Sequence, residues 1–431
     1  MEIKRNRYLN TLISKKHNGL IKVITGLRRC GKSYLLNKLF YKHLLDSGVD
    51  AAHIIRFAFD SADDLKLIGE SLIQIKKEKR GVDPEKFIAY ISSKLTDNEM
   101  YYLLLDEIQL LDCFETVLNG YLYKDNVDVF VTGSNARFLS KDVITEFRGR
   151  GDEVRMYPLS FAEFMSVYQG SRQDGWNEYV VYGGIPLVLE FNTSDQKTTF
   201  LKSLFEETYI TDIVGRHNIK NVAEFKELIN ILSSSIGSLT NPSKLSATFQ
   251  TVKKKKISVT TINNYIDYLC ESFLIDFTHR FDVKGKKYIN TPLKYYFTDL
   301  GLRNARLDFR QIEETHSMEN IIFNELKMRG FNVDVGVVTQ YGINENGNSV
   351  RKQLEIDFVC NKGSKRYYIQ SAYAIPDNEK MEQEQRSLLL ASDFFKRIIV
   401  TKDSPAPYYN DSGVLVMNIY DFLLNEDSLD M

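Results

Sequence analysis

Between Ile21 and Ser33 the chain reads IKVITGLRRCGKS, and no other stretch constrains the fold as strongly. The run Ile21-Lys22-Val23-Ile24 reads as a buried strand. Gly26 to Ser33 then has the spacing G-x-x-x-x-G-K-S. Beyond it, Leu35, Leu36, Leu39, Phe40, Leu44 and Leu45 recur at helical spacing until Gly48 offers a stop. Strand, glycine loop and helix are the setting in which this spacing cradles phosphate. Gly26 and Gly31 allow backbone angles and a close approach that a Cβ forbids. Loop residues Gly26, Leu27, Arg28, Arg29, Cys30, Gly31, Lys32, Ser33 and Tyr34 are expected to turn N–H groups and a helix N-terminus toward an anion. The expected cofactors are ATP and Mg²⁺, with Lys32 on the β- and γ-phosphates and the Ser33 hydroxyl on the metal.

A chain of 431 residues exceeds one ordinary domain. Its formal net charge of −1 gives no global pull toward nucleic acid or membrane, so any basic surface is local. No apolar run approaches the roughly 18 residues of a membrane span. The start, MEIKRNRYLN, lacks the apolar core of a signal peptide. Cys30, Cys113, Cys270 and Cys360 are scattered, with neither zinc spacing nor a disulfide framework; a cytoplasmic location is expected.

Further strands are expected at His53–Phe59 and at Tyr101-Tyr102-Leu103-Leu104-Leu105, with helices over most of Leu65–Leu95. The Tyr101–Leu105 run is apolar throughout, so both of its faces are covered, as in the middle of a parallel sheet. It ends in Asp106-Glu107. Asp106 is placed to hold Mg²⁺ through water and Glu107 to take a proton from attacking water; an acidic helix cap is the plainer alternative. Val127–Thr132 reads as the next buried strand, beside the one carrying Asp106. Thr132, Ser134 and Asn135 are candidates to bond the γ-phosphate or the water, with Ser134 preferred over a mere capping turn. Arg148 and Arg150, in Arg148-Gly149-Arg150, are candidates to stabilise phosphoryl transfer, often from a neighbouring subunit, against the alternative of surface arginines.

Helices are expected at Phe200–Ile213 and Val222–Leu232, and a short one from Asn241 to Phe249. A further helix presents Ile262, Tyr265, Ile266, Leu269, Phe273 and Leu274 on one face. Phe277–Ile289 reads as a hairpin turning at Val283-Lys284-Gly285-Lys286. Helix, helix, hairpin is the winged-helix order. Between Thr251 and Asn290, eight basic residues face four acids, a local charge of +4. Lys253, Lys254, Lys255, Lys256, Lys284, Lys286 and Lys287 would form that face, for DNA or for a docking protein. The end of the chain begins with a helix, Ser317–Arg329, carrying Glu319 and Glu325. Strands at Val333–Thr339, Gln353–Cys360 and Tyr367–Ser371 follow, and Ser392–Phe395, Arg397–Thr401 and Val414–Phe422 complete an α/β layer.

The motifs GLRRCGKS, LLLDEIQ, VTGSNARFLS, FRGR and YPLSFAEF, with YGGIP at Tyr182–Pro186, resemble the archaeal-ATPase type of prokaryotic AAA+ protein over nearly the whole chain. The resemblance implies an α/β fold: a P-loop AAA+ core with a parallel sheet (1–157), a helical lid (158–235), a winged helix (236–312) and a restriction-endonuclease-like domain (313–431). It also implies that Arg148 or Arg150 is the arginine finger, and hence a homo-oligomer. Strand residues Glu355–Val359 and Tyr368–Ala372 resemble the sheet of PD-(D/E)xK nucleases, in which an Asp and a (D/E)-x-K hold Mg²⁺. Asp357 fits the first position, but Gln370 and Ala372 replace the second acid and the lysine. The end domain is therefore expected not to cleave, although Glu319 and Asp357 could meet over a weakly held metal. The expected function is an ATPase moving its C-terminal modules; the alternatives are a slow ATP-bound nucleic-acid switch and an ATP-gated nuclease.

Overall fold

The structure, a computed structural model, describes residues 2–133, 147, 149–252, 257–343, 349–404 and 406–431. The chain divides into two compact units, Met1–Pro158 and Leu159–Met431.

The first unit is a five-stranded parallel sheet with helical connections. Its strands are β1 (Ile21–Gly26), β2 (Ile54–Ala58), β3 (Tyr101–Asp106), β4 (Val127–Thr132) and β5 (Gly151–Met156), in the order β2-β3-β4-β1-β5. Every residue of β1, β3 and β4 is buried, as a parallel sheet covered on both faces requires. Leu103, Leu104 and Leu105 have no solvent exposure, and burying each such side chain contributes roughly 2 kcal/mol. The order inserts β4 between the glycine-loop strand and the strand ending in Asp106. Lys22 is buried within β1 and pairs with Asp128 of β4; burial lowers its affinity for a proton, against the pull of Asp128.

Two local expectations need correction. Leu65–Leu95 is helical with the break near Gly81 that its sequence suggests, and it has a second break that was not expected, giving three helices, Ala62–Leu67, Leu72–Glu78 and Pro84–Lys94. They are separated where Gly69 and Lys79 take left-handed backbone angles and where Asp83 caps the last. The helix after the glycine loop runs over residues 32–46, but its middle, Leu35–Phe40, is a wider π-turn.

The second unit begins with helices, among them Arg172–Tyr182 and Val222–Ser234 and a run over residues 194–216. Glu206 of that run accepts from Arg306 at 2.6 Å and from Lys226 at 2.6 Å, so it ties its helix to Val222–Ser234 and Leu300–Arg306. The YGGIP stretch also proves structural. Asp299 accepts from the Gly184 N–H at 2.7 Å and caps the helix Leu300–Arg306 through the Leu302 N–H at 3.0 Å. A Cβ on Gly183 would lie 2.3 Å from the Asp299 carboxylate.

Strands β6 (Leu239–Thr240), β7 (Ile275–Asp282), β8 (Lys287–Phe297), β9 (Asn332–Ile343), β10 (Ser349–Lys362), β11 (Lys365–Ala372), β12 (Lys396–Thr401), β13 (Tyr408–Tyr409) and β14 (Leu415–Asn418) form one sheet, in the order β13-β14-β12-β11-β10-β9-β7-β8-β6. The helices Pro242–Val252 and Val259–Glu271 and the β7–β8 hairpin appear in the expected succession. The hairpin is nonetheless not a free wing. β7 pairs in parallel with β9 at Arg280–Val335, Phe281–Gly336 and Asp282–Val337. Val283 at its turn is buried with Val338, Ile356 and Tyr368. One sheet thus combines strands that precede residue 312 with strands that follow it. Ser392–Phe395 forms neither helix nor strand, and Phe394 is fully exposed; the helix of this region is Asn378–Leu389.

Candidate functional site

The glycine loop sits at the C-terminal end of β1. Gly26 has φ +130°, and a Cβ there would lie 2.0 Å from the Met156 carbonyl oxygen of β5, so packing demands glycine before any ligand does. Gly31 has φ +103° and opens the helix at Lys32. Arg29 also takes a left-handed angle, at φ 61°. Leu27 and Cys30 are buried, and the Cys30 thiol contacts the Met156 carbonyl; this thiol is packing rather than an exposed reactive group. Lys32 is buried, its Nζ donating to the carbonyls of Gly26 at 2.9 Å and Leu27 at 3.0 Å.

Asp106 is the hub of the polar groups around this loop. Ser33 Oγ lies 3.1 Å from its Oδ1 and Asn37 Nδ2 lies 3.3 Å from its Oδ2. Thr132 Oγ1 donates to Oδ1 and accepts the Glu107 N–H at 3.1 Å, fixing both acids from β4. Burial pushes the Asp106 carboxyl toward holding a proton, and the hydrogen bonds from Thr132 and Ser33 oppose this. Glu107 takes φ +53°, a costly angle for a residue with a Cβ, and its carboxylate contacts Gln109. Asp60 lies just past β2, where the Phe59 N–H donates to the Asp106 carbonyl at 3.0 Å. Desolvation, then the charges of Glu107 and Asp106, raise its proton affinity.

Sequence reasoning named Thr132 as a candidate but missed Asn37, Asp60 and Arg5. Arg5 is buried and donates to the Cys30 carbonyl at 2.9 Å and the Tyr157 carbonyl at 2.7 Å, so it pins the back of the loop. Asn37 sits one helical turn past Ser33, a spacing that would have pointed to it; nothing local marks Arg5. The preferred Ser134, with Asn135, Arg148 and Lys253 to Lys256, lies outside the described residues. Arg150 is described and is not brought to the loop. Its carbonyl accepts from Ile21 N at 2.9 Å, at the start of β1. At about 3.3 Å per residue, the length of β1 keeps it on the order of 15 Å from the loop of its own chain. Its guanidinium lies over the Tyr123 ring, 5.7 Å from the centroid. Lys284, Lys286 and Lys287 are exposed at the β7–β8 turn.

In the second unit, Asp357 on β10 and Gln370 on β11 come together, the Asp357 N–H lying 3.4 Å from Gln370 Oε1. Ala372 is buried in the core. Among the described residues, no three His, Cys, Asp or Glu side chains form a group able to hold a metal, and no helix is long and apolar enough to cross a membrane.

A parallel sheet of this order, with a glycine loop and an acidic strand end separated by one intervening strand, defines a P-loop AAA core. Residues 18–165 match the family described as an AAA domain, and residues 173–313 match a domain of unknown function (DUF8612). The chain is 33% identical over 431 residues to an uncharacterised protein of Haemophilus influenzae, covering 98% of each. It is 30% identical over 373 residues to an uncharacterised protein of Methanocaldococcus jannaschii, covering 84% of this chain and 76% of that one. The chain belongs to one family with these two proteins, and that family carries an AAA domain. Among solved structures it is similar to a Walker-type ATPase of Pyrococcus abyssi, with 15% identity, a TM-score of 0.49, and coverage of 71% of this chain and 96% of that one. It is also similar to the Aeropyrum pernix Orc1 protein in complex with DNA, with 12% identity, a TM-score of 0.29, and coverage of 72% and 93%.

Proposed function

We propose that this chain is a Mg²⁺-dependent ATPase whose nucleotide state moves its second unit. The observation that carries the reading is the convergence on Asp106 of Ser33, Asn37 and Thr132, directly beside a buried loop lysine. The three side chains bonded to Asp106 are neutral, and Lys32 acts on it through its charge without forming an ion pair, so among the described residues no salt bridge occupies the carboxylate ahead of a metal. A Ser hydroxyl and a carboxylate 3.1 Å apart are hard oxygen donors that suit Mg²⁺, which would be held by Ser33 and Asp106 and would neutralise charge on the phosphates.

The loop N–H groups and the Lys32 ammonium bind and orient the triphosphate, Lys32 exchanging its two carbonyl partners for phosphate oxygens. Glu107, fixed through Thr132, takes a proton as water attacks. The water oxygen bonds to the γ-phosphorus, the bond from that phosphorus to the bridging oxygen breaks, and ADP and phosphate leave. A cation from a second copy completes the site, with Arg148 or Arg150 supplying it, because Arg150 lies at the far end of β1 in its own chain. The second unit is read as a winged-helix segment fused to a PD-(D/E)xK-like sheet that does not cleave, with Lys284, Lys286 and Lys287 offered to DNA or a protein partner.

Replacing Glu107 with Gln tests the reading. ATP binding should persist while turnover falls by roughly 10²–10⁴-fold; equal turnover in variant and parent would remove Glu107 from the mechanism. Hydrolysis undetectable in the parent, with or without DNA, would favour the slow switch. Nicking of plasmid DNA that depends on Asp357 and Mn²⁺ would favour the nuclease.

A further inference from the structure

A buried cluster of charged side chains in the second unit is centred on a lysine. Lys294 on β8 is 4% exposed. Its Nζ lies 2.9 Å from Glu319 Oε1, 2.5 Å from Glu355 Oε1 and 3.7 Å from Asp357 Oδ1. The acids come from two other elements, Glu319 from the helix Glu314–Met328 and the others from β10. Each of the two buried acids has a second anchor. Glu319 Oε1 accepts the Tyr296 hydroxyl at 2.7 Å and Asp357 Oδ2 accepts the Ser371 N–H at 2.9 Å. Pairing between β9 and β10 shifts register between Ile356 and Val359, and Asp357 lies within that irregular stretch. Such bulges re-aim side chains.

An ordinary buried ion pair has one acid for each base, and burial makes even that costly. Here three carboxylate oxygens converge on a single nitrogen. With all groups ionised the cluster carries two excess negative charges. Glu355 is the acid most open to solvent, its side chain 32% exposed, so the cluster is reachable by a small cation from that side.

We infer that the Lys294 ammonium is the resident cation of this carboxylate cluster, standing where a divalent metal would otherwise sit and so denying the sheet metal-dependent chemistry. With the ammonium in place the three carboxylates form no group able to hold a metal; with it removed, three anionic oxygens facing one point supply part of the roughly six oxygens that a hard divalent cation takes, water supplying the rest. A tethered ammonium satisfies the same oxygens with a single charge, and it cannot be exchanged or chelated away. Nothing in the reading depends on whether the first unit hydrolyses ATP.

The test is Mn²⁺ binding to the full chain without nucleotide, by calorimetry and electron paramagnetic resonance. Lys294→Ala should gain one Mn²⁺ per chain over the parent, and the double variant Lys294→Ala with Asp357→Asn should lose it again. If Lys294→Ala is unfolded in metal-free buffer, Mn²⁺ should restore its folded circular dichroism. Lys294→Met combined with Glu319→Gln, which removes one charge of each sign, should then fold without metal. Three results would each overturn the inference: a folded Lys294→Ala chain that binds no more Mn²⁺ than the parent; an unfolded one that neither remedy restores; or a parent whose own bound Mn²⁺ disappears on Asp357→Asn.

Discussion

Asp106 and Asp357 are both buried aspartates on sheet strands, and the chain has treated them in opposite ways. Around Asp106 the partners are two hydroxyls and an amide, all neutral. Around Asp357 the nearest cation is a lysine of the same chain, shared with two other acids. A buried carboxylate must be protonated, paired or bound to a cation from outside. The first unit leaves that third course open, and the second closes it with its own side chain. What a buried acid on a strand does is therefore decided by its neighbours' charges rather than by its being in a sheet.

That contrast can be broken at either end. The largest effect is expected from Asp106→Asn, which should lower Mg²⁺-dependent ATP turnover by roughly 10²-fold or more. Asp357→Asn should leave turnover within about twofold, and parallel steady-state assays on the two variants would show whether the acids differ as described. Next comes Arg5→Met, which strips the Cys30 and Tyr157 carbonyls of their buried donor. A loss of about 2–3 kcal/mol in urea unfolding is expected, with weaker ATP binding because the loop loses its support. Thr132→Val is nearly isosteric and should cost less stability. It removes the hydroxyl joining the two acids, so a turnover loss of about tenfold with nucleotide affinity kept would sharpen the comparison; unchanged turnover would remove Thr132 from it.

The last effect is confined to mildly acid solution and concerns a third buried acid, Asp299, whose carboxyl burial pushes up to about 6 despite the backbone N–H groups of Gly184 and Leu302. In the unfolded chain it titrates near 4. Between about pH 4 and 6 the folded chain therefore holds the extra proton, and stability from this group is full below pH 4 and lost as pH rises through 6. The two N–H groups use different carboxylate oxygens, so Asp299→Asn keeps an acceptor for only one of them and is less stable overall; having no carboxyl to titrate, it should flatten that decline, worth about 3 kcal/mol at most. Unfolding midpoints measured from pH 4 to 7.5 should fall more in the parent than in the variant; parallel curves would place the titration elsewhere.

Much of the first unit was legible because its signals are contiguous. The glycine loop, the apolar run Tyr101–Leu105 and Val127–Thr132 each announce themselves within a few residues, and the structure has β1, β3 and β4 there. Strand β5, GDEVRM, was not read, because its first three residues are only partly buried and show no apolar pattern. Arg5, 25 residues from the carbonyl it supports, and Lys294, 25 residues from Glu319, carry no local mark at all. The β7–β8 hairpin was legible as a hairpin, since its turn is local; its pairing with β9 joins residues more than fifty apart and was not.

Taken alone, the sequence determined that the chain has a phosphate loop and an acidic strand end. Both depend on residue type at fixed spacing, and backbone geometry makes spacing sufficient. Only the tertiary structure decided which neutral groups ring Asp106, that Arg150 lies away from the loop of its own chain, and that Lys294 of β8 comes to lie among Glu319, Glu355 and Asp357. Those outcomes depend on distances across the fold, which no run of neighbouring residues encodes.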